Sequence, residues 1–211
     1  MAATRPLHRP STVDALADAL RREILDGELP AGSRLREREL CETYGVARHS
    51  LRAALRALAT QGLVRIEQHR GATVAQLGAD DVRWLYELRA ALELEAAHLA
   101  LERNGGRLPD SVHEALARLE AACEDGAWST INEAHAALHA AIVAAAGSPR
   151  ITAAHAALNE EMQLFLLALR AHIPADQLAA DHAALVRGLE RDGPPALREH
   201  LRAAAETLVD A

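Results

Sequence analysis

Aromatic side chains are scarce in this 211-residue chain, with two Trp, two Tyr and one Phe, so any core must be built from aliphatic packing. The apolar residues are mostly Ala and Leu, and in the longer segments they recur at helical spacing, which predicts a mainly α protein. Long apolar runs are also missing. None approaches the ~18 residues of a membrane span, and the opening MAATRPLHRP has no apolar centre of the signal-peptide kind. These absences predict a soluble, cytoplasmic protein with no membrane partner. Cysteine is limited to Cys41 and Cys123, far apart and outside any CxxC pair. That argues against a disulfide framework or a zinc finger and leaves buried structural thiols as the reading.

Acid is missing from one place in particular. Between Gly45 and Gln61 no Asp or Glu balances Arg48, Arg52 and Arg56. The chain as a whole carries a net charge of -7, but arginines outnumber acids up to Leu77, whereas acids outnumber arginines about two to one from Gly78 onward. Basic character confined to one end predicts a nucleic-acid-binding domain, residues 1–77. It is joined to a second domain, residues 78–211, that stays off nucleic acid.

The N-terminal pattern gives that domain a shape. Val13, Leu16, Ala17, Leu20 and Ile24 share one helical face after the cap candidates Ser11 and Thr12, and Gly27 lies past the end. Gly27, Pro30 and Gly32 break the connector GELPAGSRL, and a short helix is predicted from Glu37 to Tyr44 with Leu40, Cys41 and Tyr44 inward. Gly45 turns the chain into a third helix. There Leu51, Ala54, Leu55 and Leu58 form an apolar stripe, His49, Arg52 and Arg56 lie on the far side, and Arg48 stands at the start. Two short helices joined by a glycine turn, the second basic and exposed, suit a helix-turn-helix, whose second helix enters a major groove about 12 Å wide. LVRIEQHRGATVAQ then adds two alternating strands around His69, Arg70 and Gly71, a hairpin wing with Arg70 at its tip. The plainer alternative is a helical hairpin with solvated arginines.

The run LADALRREILDGELPAGSRLRERELCETYGVARHSLRAALRALATQGLVRIEQHRGATV, from Leu16 to Val74, resembles the winged helix-turn-helix of the GntR family of bacterial transcription regulators. Its most specific parts are ILDGELPAGSRL, ERELC, GVARHSLRAAL and the wing glycine. The resemblance implies DNA contacts from Arg38 of the second helix and from Arg48 and Arg52 of the recognition helix, with Gly71 at the wing tip. His49, Ser50 and Arg70 complete the expected DNA-binding set. Where the family usually reads Ser-Arg-Thr-Pro-Val-Arg-Glu-Ala, this chain has Ala47 through Ala54, so it lacks a hydroxyl at Ala47 and an acid at Ala53 and places His49 on the reading face.

From Asp80 the chain reads as about six helices, separated at Asn104-Gly105-Gly106, Asp125-Gly126, Gly147-Ser148-Pro149, Ile173-Pro174 and Asp192-Gly193-Pro194-Pro195. Short turns between long segments predict an all-α antiparallel bundle, and Ala136, Ala137, Ala140 and Ala141 allow close packing. VRWLYELRAALELEAAHLALERNGG is similar to the opening of the FCD ligand-binding domain of the FadR-like GntR subgroup, with Arg89, Leu92 and Glu93 on its recurrent pattern.

His135 and His139 stand four apart on one predicted helix, so their rings project from the same face. Eleven histidines would produce about half of one such pair by chance, so a core or surface pair is the plain alternative. The resemblance supplies the order: FCD domains carry Asp-x-x-x-His, then a His opening a run like DHAALVRGLERDG, then a His on the last helix. Those places fall on His135, His139, His182 and His200, with His135 in place of the usual Asp and His200 about one turn nearer to Asp192 than is common. Four neutral imidazoles suit a divalent metal, Zn or Ni. They would leave its double charge uncompensated, so an organic carboxylate is the expected effector. Without a metal, the histidines and Arg89 would hydrogen-bond the effector directly. His98, His113, His155 and His172 are expected on solvated or half-buried faces without a role.

Two function classes follow. The first is a transcription regulator, a repressor by expectation, that binds a double-stranded inverted-repeat operator as a homodimer and answers to a small acid in its bundle. The alternative is a helical metalloenzyme with a basic docking domain; no nucleophile-base set or phosphate loop favours it.

Overall fold

The computed structural model describes residues 12–67 and 70–209, so the cap candidate Ser11 and the wing residue His69 lie outside the described residues. Contacts divide the chain into two compact units, Met1–Ala75 and Gln76–Ala211.

In the first unit, α1 (Thr12–Leu25) buries Leu16, Ala17, Leu20 and Ile24 at the spacing of one helical face. Helix α2 (Glu37–Tyr44) ends where Gly45 adopts φ 61°, ψ 33°, a left-handed conformation that costs a side-chain-bearing residue and lets the chain reverse into α3 (Arg48–Thr60). The α3 stripe of Leu51, Ala54, Leu55 and Leu58 is buried as expected and packs on α1. Removing each leucine of that stripe from water contributes on the order of 2 kcal/mol. The inward face expected of α2 is only half-covered: Leu40, Cys41 and Tyr44 are all intermediate in exposure, because a two-turn helix at the edge of a small unit meets the core from one side. Tyr44 compensates by donating its hydroxyl proton to Glu23 of α1.

The wing is a three-stranded antiparallel sheet in the order β1-β3-β2. Strands β2 (Val64–Glu67) and β3 (Gly71–Val74) form the expected hairpin, in register from Val64 opposite Val74 to Glu67 opposite Gly71. The connector read as a plain loop also contributes β1 (Arg34–Leu35), whose Leu35 lies opposite Ala72 and is buried.

The second unit holds seven helices among its described residues: α4 (Ala79–Arg103), α5 (Asp110–Asp125), α6 (Trp128–Ala144), α7 (Pro149–Ala156), α8 (Asn159–Leu169), α9 (Ala175–Asp192) and α10 (Pro194–Val209). Every Gly- or Pro-marked break appears. The seventh helix arises at Ala157-Leu158, where the chain bends through near-helical angles (φ -67°, ψ -17°, then φ -91°, ψ -6°) without any glycine or proline to mark it. Helix α4 packs against α6, α7, α8 and α10, α5 lies on α6 and α9, and α9 pairs with α10. One aliphatic core runs through the bundle, including Val112, Leu119, Ile131, Leu138, Ile142, Leu166, Leu189 and Leu197. Small residues allow close approach, above all at Gly188 of α9, where an added Cβ would stand 2.9 Å from the Cβ of Ala196 on α10. No helix among the described residues is long and apolar enough to cross a membrane.

Candidate functional site

The far side of α3 is exposed at Arg48, His49, Arg52 and Arg56, with Ser50 half-buried. The acid that is missing locally comes from the preceding helix. Arg52 Nε donates to both carboxylate oxygens of Glu37, at 2.9 and 3.0 Å, so Arg52 is not the unbalanced charge that its own helix suggests. Arg48 and Arg56 have no acidic partner among the described residues. Arg38 of α2 lies 3.9 Å from Glu42, a solvated pair one turn apart. At the wing, Arg70 is exposed, its guanidinium donates to Glu67 at 3.2 Å, and its carbonyl accepts from Arg34 Nη2 at 2.8 Å. Gly71 follows with φ 88°.

In the second unit three helices converge on the histidines. His135 and His139 come from α6, His182 from α9 and His200 from α10; the first three are buried and His200 is half-buried. Ring centroids are 4.7 Å apart for His135–His139, 4.8 Å for His135–His182 and 4.5 Å for His182–His200. Donor nitrogens of His135, His139 and His182 lie within 4.8 Å of one another; His200 stands beside this trio and outside it. Burial pushes all four rings toward the neutral state, His182 down to about 3; neighbouring rings of the cluster add to the effect at His135, His182 and His200, whereas at His139 Glu93 opposes it. Neutral imidazole is the form that binds metal.

Two observations bear on whether these residues fit a metal. His182 Nδ1 donates to the Leu178 carbonyl at 2.7 Å, which leaves its Nε2 with a lone pair, and that Nε2 lies 3.3 Å from His139 Nε2. Two nitrogens bound to one tetrahedral zinc at about 2.0–2.1 Å stand roughly 3.3 Å apart. His135 Nδ1 is buried with no hydrogen-bond partner, and an unsatisfied buried nitrogen costs about 1–3 kcal/mol unless something binds it. The donor set fits a borderline cation such as Zn²⁺ or Ni²⁺.

A cavity of about 580 Å³ opens against this cluster, large enough for a small organic molecule. Arg89, His135, His182 and His200 line it, together with Phe165 and the α9–α10 crossing at Gly188 and Ala196. Arg89 is 3% exposed and its Nε donates to Glu93 at 2.7 Å.

Glu93 is the residue that sequence reasoning passed over as a site member. It is wholly buried, and besides Arg89 its carboxylate meets His139 Nδ1 at 2.8 Å and His155 Nε2 at 3.3 Å. Burial alone would raise its pKa, but Arg89, His139 and His155 together hold it well below the usual carboxylate range. His155, expected on a solvated or half-buried face, is instead 2% exposed on α7. The imidazoles are therefore not alone in this part of the bundle, since a buried carboxylate and a buried guanidinium lie beside them.

A winged helix-turn-helix followed by a helical bundle is the domain arrangement of a DNA-binding transcription regulator. Residues 12–74 match the "Bacterial regulatory proteins, gntR family" description and residues 84–207 match the FCD domain. The chain belongs to the GntR family and carries an FCD domain, and it is a regulator rather than an enzyme. It is 31% identical to the "Probable D-xylose utilization operon transcriptional repressor" of Paenarthrobacter nicotinovorans, over 94% of this chain and 87% of that one. It is 30% identical to the HTH-type transcriptional repressor GlaR of Escherichia coli K12, over 72% and 68% of the respective chains. A GntR regulator from Rhodococcus sp. RHA1 superposes with a TM-score of 0.74 at 26% identity, covering 95% of this chain and 99% of that one. GntR regulators bind DNA, and FCD domains bind small effectors and can bind metals.

Proposed function

We propose that this regulator represses its target by binding a short inverted-repeat operator as a homodimer. A small organic acid, taken up in the cavity of the second unit, relieves the repression. Arg48, His49, Ser50 and Arg52 read the major groove, Arg38 holds phosphate, and Arg70 with Gly71 brings the wing to the adjoining backbone. One recognition helix covers too few base pairs for useful specificity, which favours a two-fold assembly. Trp84 and Leu88, 60% and 47% exposed one turn apart on α4, offer apolar surface to a second copy.

The effector side rests on one observation: donor nitrogens of His135, His139 and His182 converge within 4.8 Å, with the Nε2 atoms of His139 and His182 at metal-ligand separation and Nδ1 of His135 buried without a partner. His135, His139 and His182 would hold Zn or Ni, with His200 beside them as the fourth ligand if its ring turns inward, and the ion would supply a positive centre for a carboxylate. Glu93 and Arg89 cancel one another, so the double charge of the ion is left for the effector to match. Arg89 borders the same space and would hydrogen-bond the acid there.

The test is footprinting on fragmented genomic DNA, followed by titration of the bound complex with organic acids before and after chelation. Protected inverted repeats that are released by a carboxylate only in the metal-loaded protein support the reading. Protection of half-sites by a monomer, or release by neutral ligands alone, overturns it.

A further inference from the structure

We infer that Glu93 is the positioning residue of the metal site, fixing which nitrogen of His139 is free to bind; this rests on the metal reading above. The ionised carboxylate can only accept hydrogen bonds, so the 2.8 Å contact requires a proton on His139 Nδ1. Arg89 Nη2 lies 3.2 Å from the same nitrogen, but a guanidinium cannot be deprotonated and offers no lone pair, and Nδ1 cannot serve both neighbours. The shorter contact, to the carboxylate, sets the tautomer. His139 Nε2 is then left with a lone pair, as His182 Nε2 is through its own bond to the Leu178 carbonyl.

Two lone pairs thus face each other 3.3 Å apart in a buried space. Glu93 acts on one side of this pair as the Leu178 carbonyl acts on the other. A carboxylate on the far nitrogen of a metal-binding imidazole fixes its orientation and raises its basicity, and losing such a partner typically weakens metal binding 10–100-fold. Arg89 has the complementary task. Its Nε donates to the other carboxylate oxygen at 2.7 Å, which turns the remaining oxygen toward His139 Nδ1. His155 holds the other carboxylate oxygen at 3.3 Å and touches none of the three converging histidines through a hydrogen bond among the described residues.

The experiment uses the full chain without a histidine tag, stripped with chelator, and reads Zn²⁺ affinity by competition and the visible absorption of the Co²⁺-loaded protein. Glu93→Asp keeps both charges of the buried pair but withdraws the carboxylate from Nδ1. The double variant Arg89→Met/Glu93→Gln removes both charges, so no buried charge is stranded. Each should bind Zn²⁺ about 10–100-fold more weakly than the wild type and shift the Co²⁺ bands, whereas His155→Gln should stay within about threefold. A purely structural Glu93 would lower the melting temperature and leave the bands in place. Zn²⁺ affinity within threefold of wild type in both Glu93 variants, with His139→Ala abolishing binding, overturns the positioning role alone. His139→Ala binding as tightly as wild type overturns the metal reading and this inference together.

Discussion

Arg52 of the recognition helix is clamped by Glu37 of the helix before it, Nε to both carboxylate oxygens at 2.9 and 3.0 Å. The pair is partly exposed, so it adds little stability, about 0–1 kcal/mol, but it fixes the direction in which Arg52 leaves α3. Glu37→Ala should therefore weaken operator binding by about 1 kcal/mol while strengthening binding to unrelated DNA, because a negative charge leaves the interface. Anisotropy titrations on operator and scrambled duplexes measure the ratio. An unchanged ratio means that the clamp has no part in reading.

Arg48 starts the same helix with no acidic partner among the described residues. Arg48→Ala should cost about 1–3 kcal/mol on the operator and relax the sequence preference. Arg38→Ala should weaken all sequences alike and reduce the salt slope by about one. If the two variants behave identically at several salt concentrations, the division between base reading and phosphate contact is wrong.

The neutral histidines set a pH dependence for the metal-free protein. Each takes up a proton near pH 6.5 in the unfolded chain, whereas burial keeps His182 neutral down to about 3 in the folded one and also depresses His135, His139 and His200. A depressed histidine favours the folded state above its unfolded pKa, and that advantage fades as pH falls from about 6.5 toward 3. One such group accounts for about 2 kcal/mol between pH 7 and pH 5. Urea titrations of chelated protein at the two pH values should show a loss of at least this size in the second unit, and a flat profile would contradict the burial of the cluster.

The α9–α10 crossing brings His182 and His200 to a ring separation of 4.5 Å, and Gly188 permits it. Gly188→Ala gains about 1 kcal/mol of helix propensity but drives a methyl into Ala196, an overpacking that costs about 1–3 kcal/mol. The variant should fold with slightly altered stability and lose effector affinity more than stability. Gly188→Ala/Ala196→Gly moves the missing methyl to the other helix and should recover most of the loss in a calorimetric titration. Failure of that rescue would detach the crossing from the site.

Much of this architecture is legible in residue order because glycine and proline mark helix ends. Gly45 and Gly193 are cases where the backbone takes a positive φ. The joint at Ala157-Leu158 was not legible, since a bend made from near-helical angles needs no special residue. Strand β1 is two residues long, too short to show alternation. The spacing of His135 and His139 placed them on one face, and His182 and His200 came from family likeness. Glu93 was hidden for a different reason. The sequence places Arg89 in the bundle but gives no sign that Glu93, four residues on, turns inward with it, and the packing of α6, α7, α8 and α10 around α4 reveals that both are inside.

The cavity would also set an order of events for an ion and an organic acid that share it. Three of the four clustered histidines, His135, His182 and His200, face the same 580 Å³ space that would receive the effector, and only His200 among the four is half-open to solvent. An ion bound by His135 and His182 would lie against the cavity wall, and an organic acid seated in the cavity would cover it. Loading would then be sequential, with the ion first, and departure would run in reverse. A saturated regulator would exchange its metal slowly and an empty one quickly, so the small molecule would act as a stopper as well as a signal.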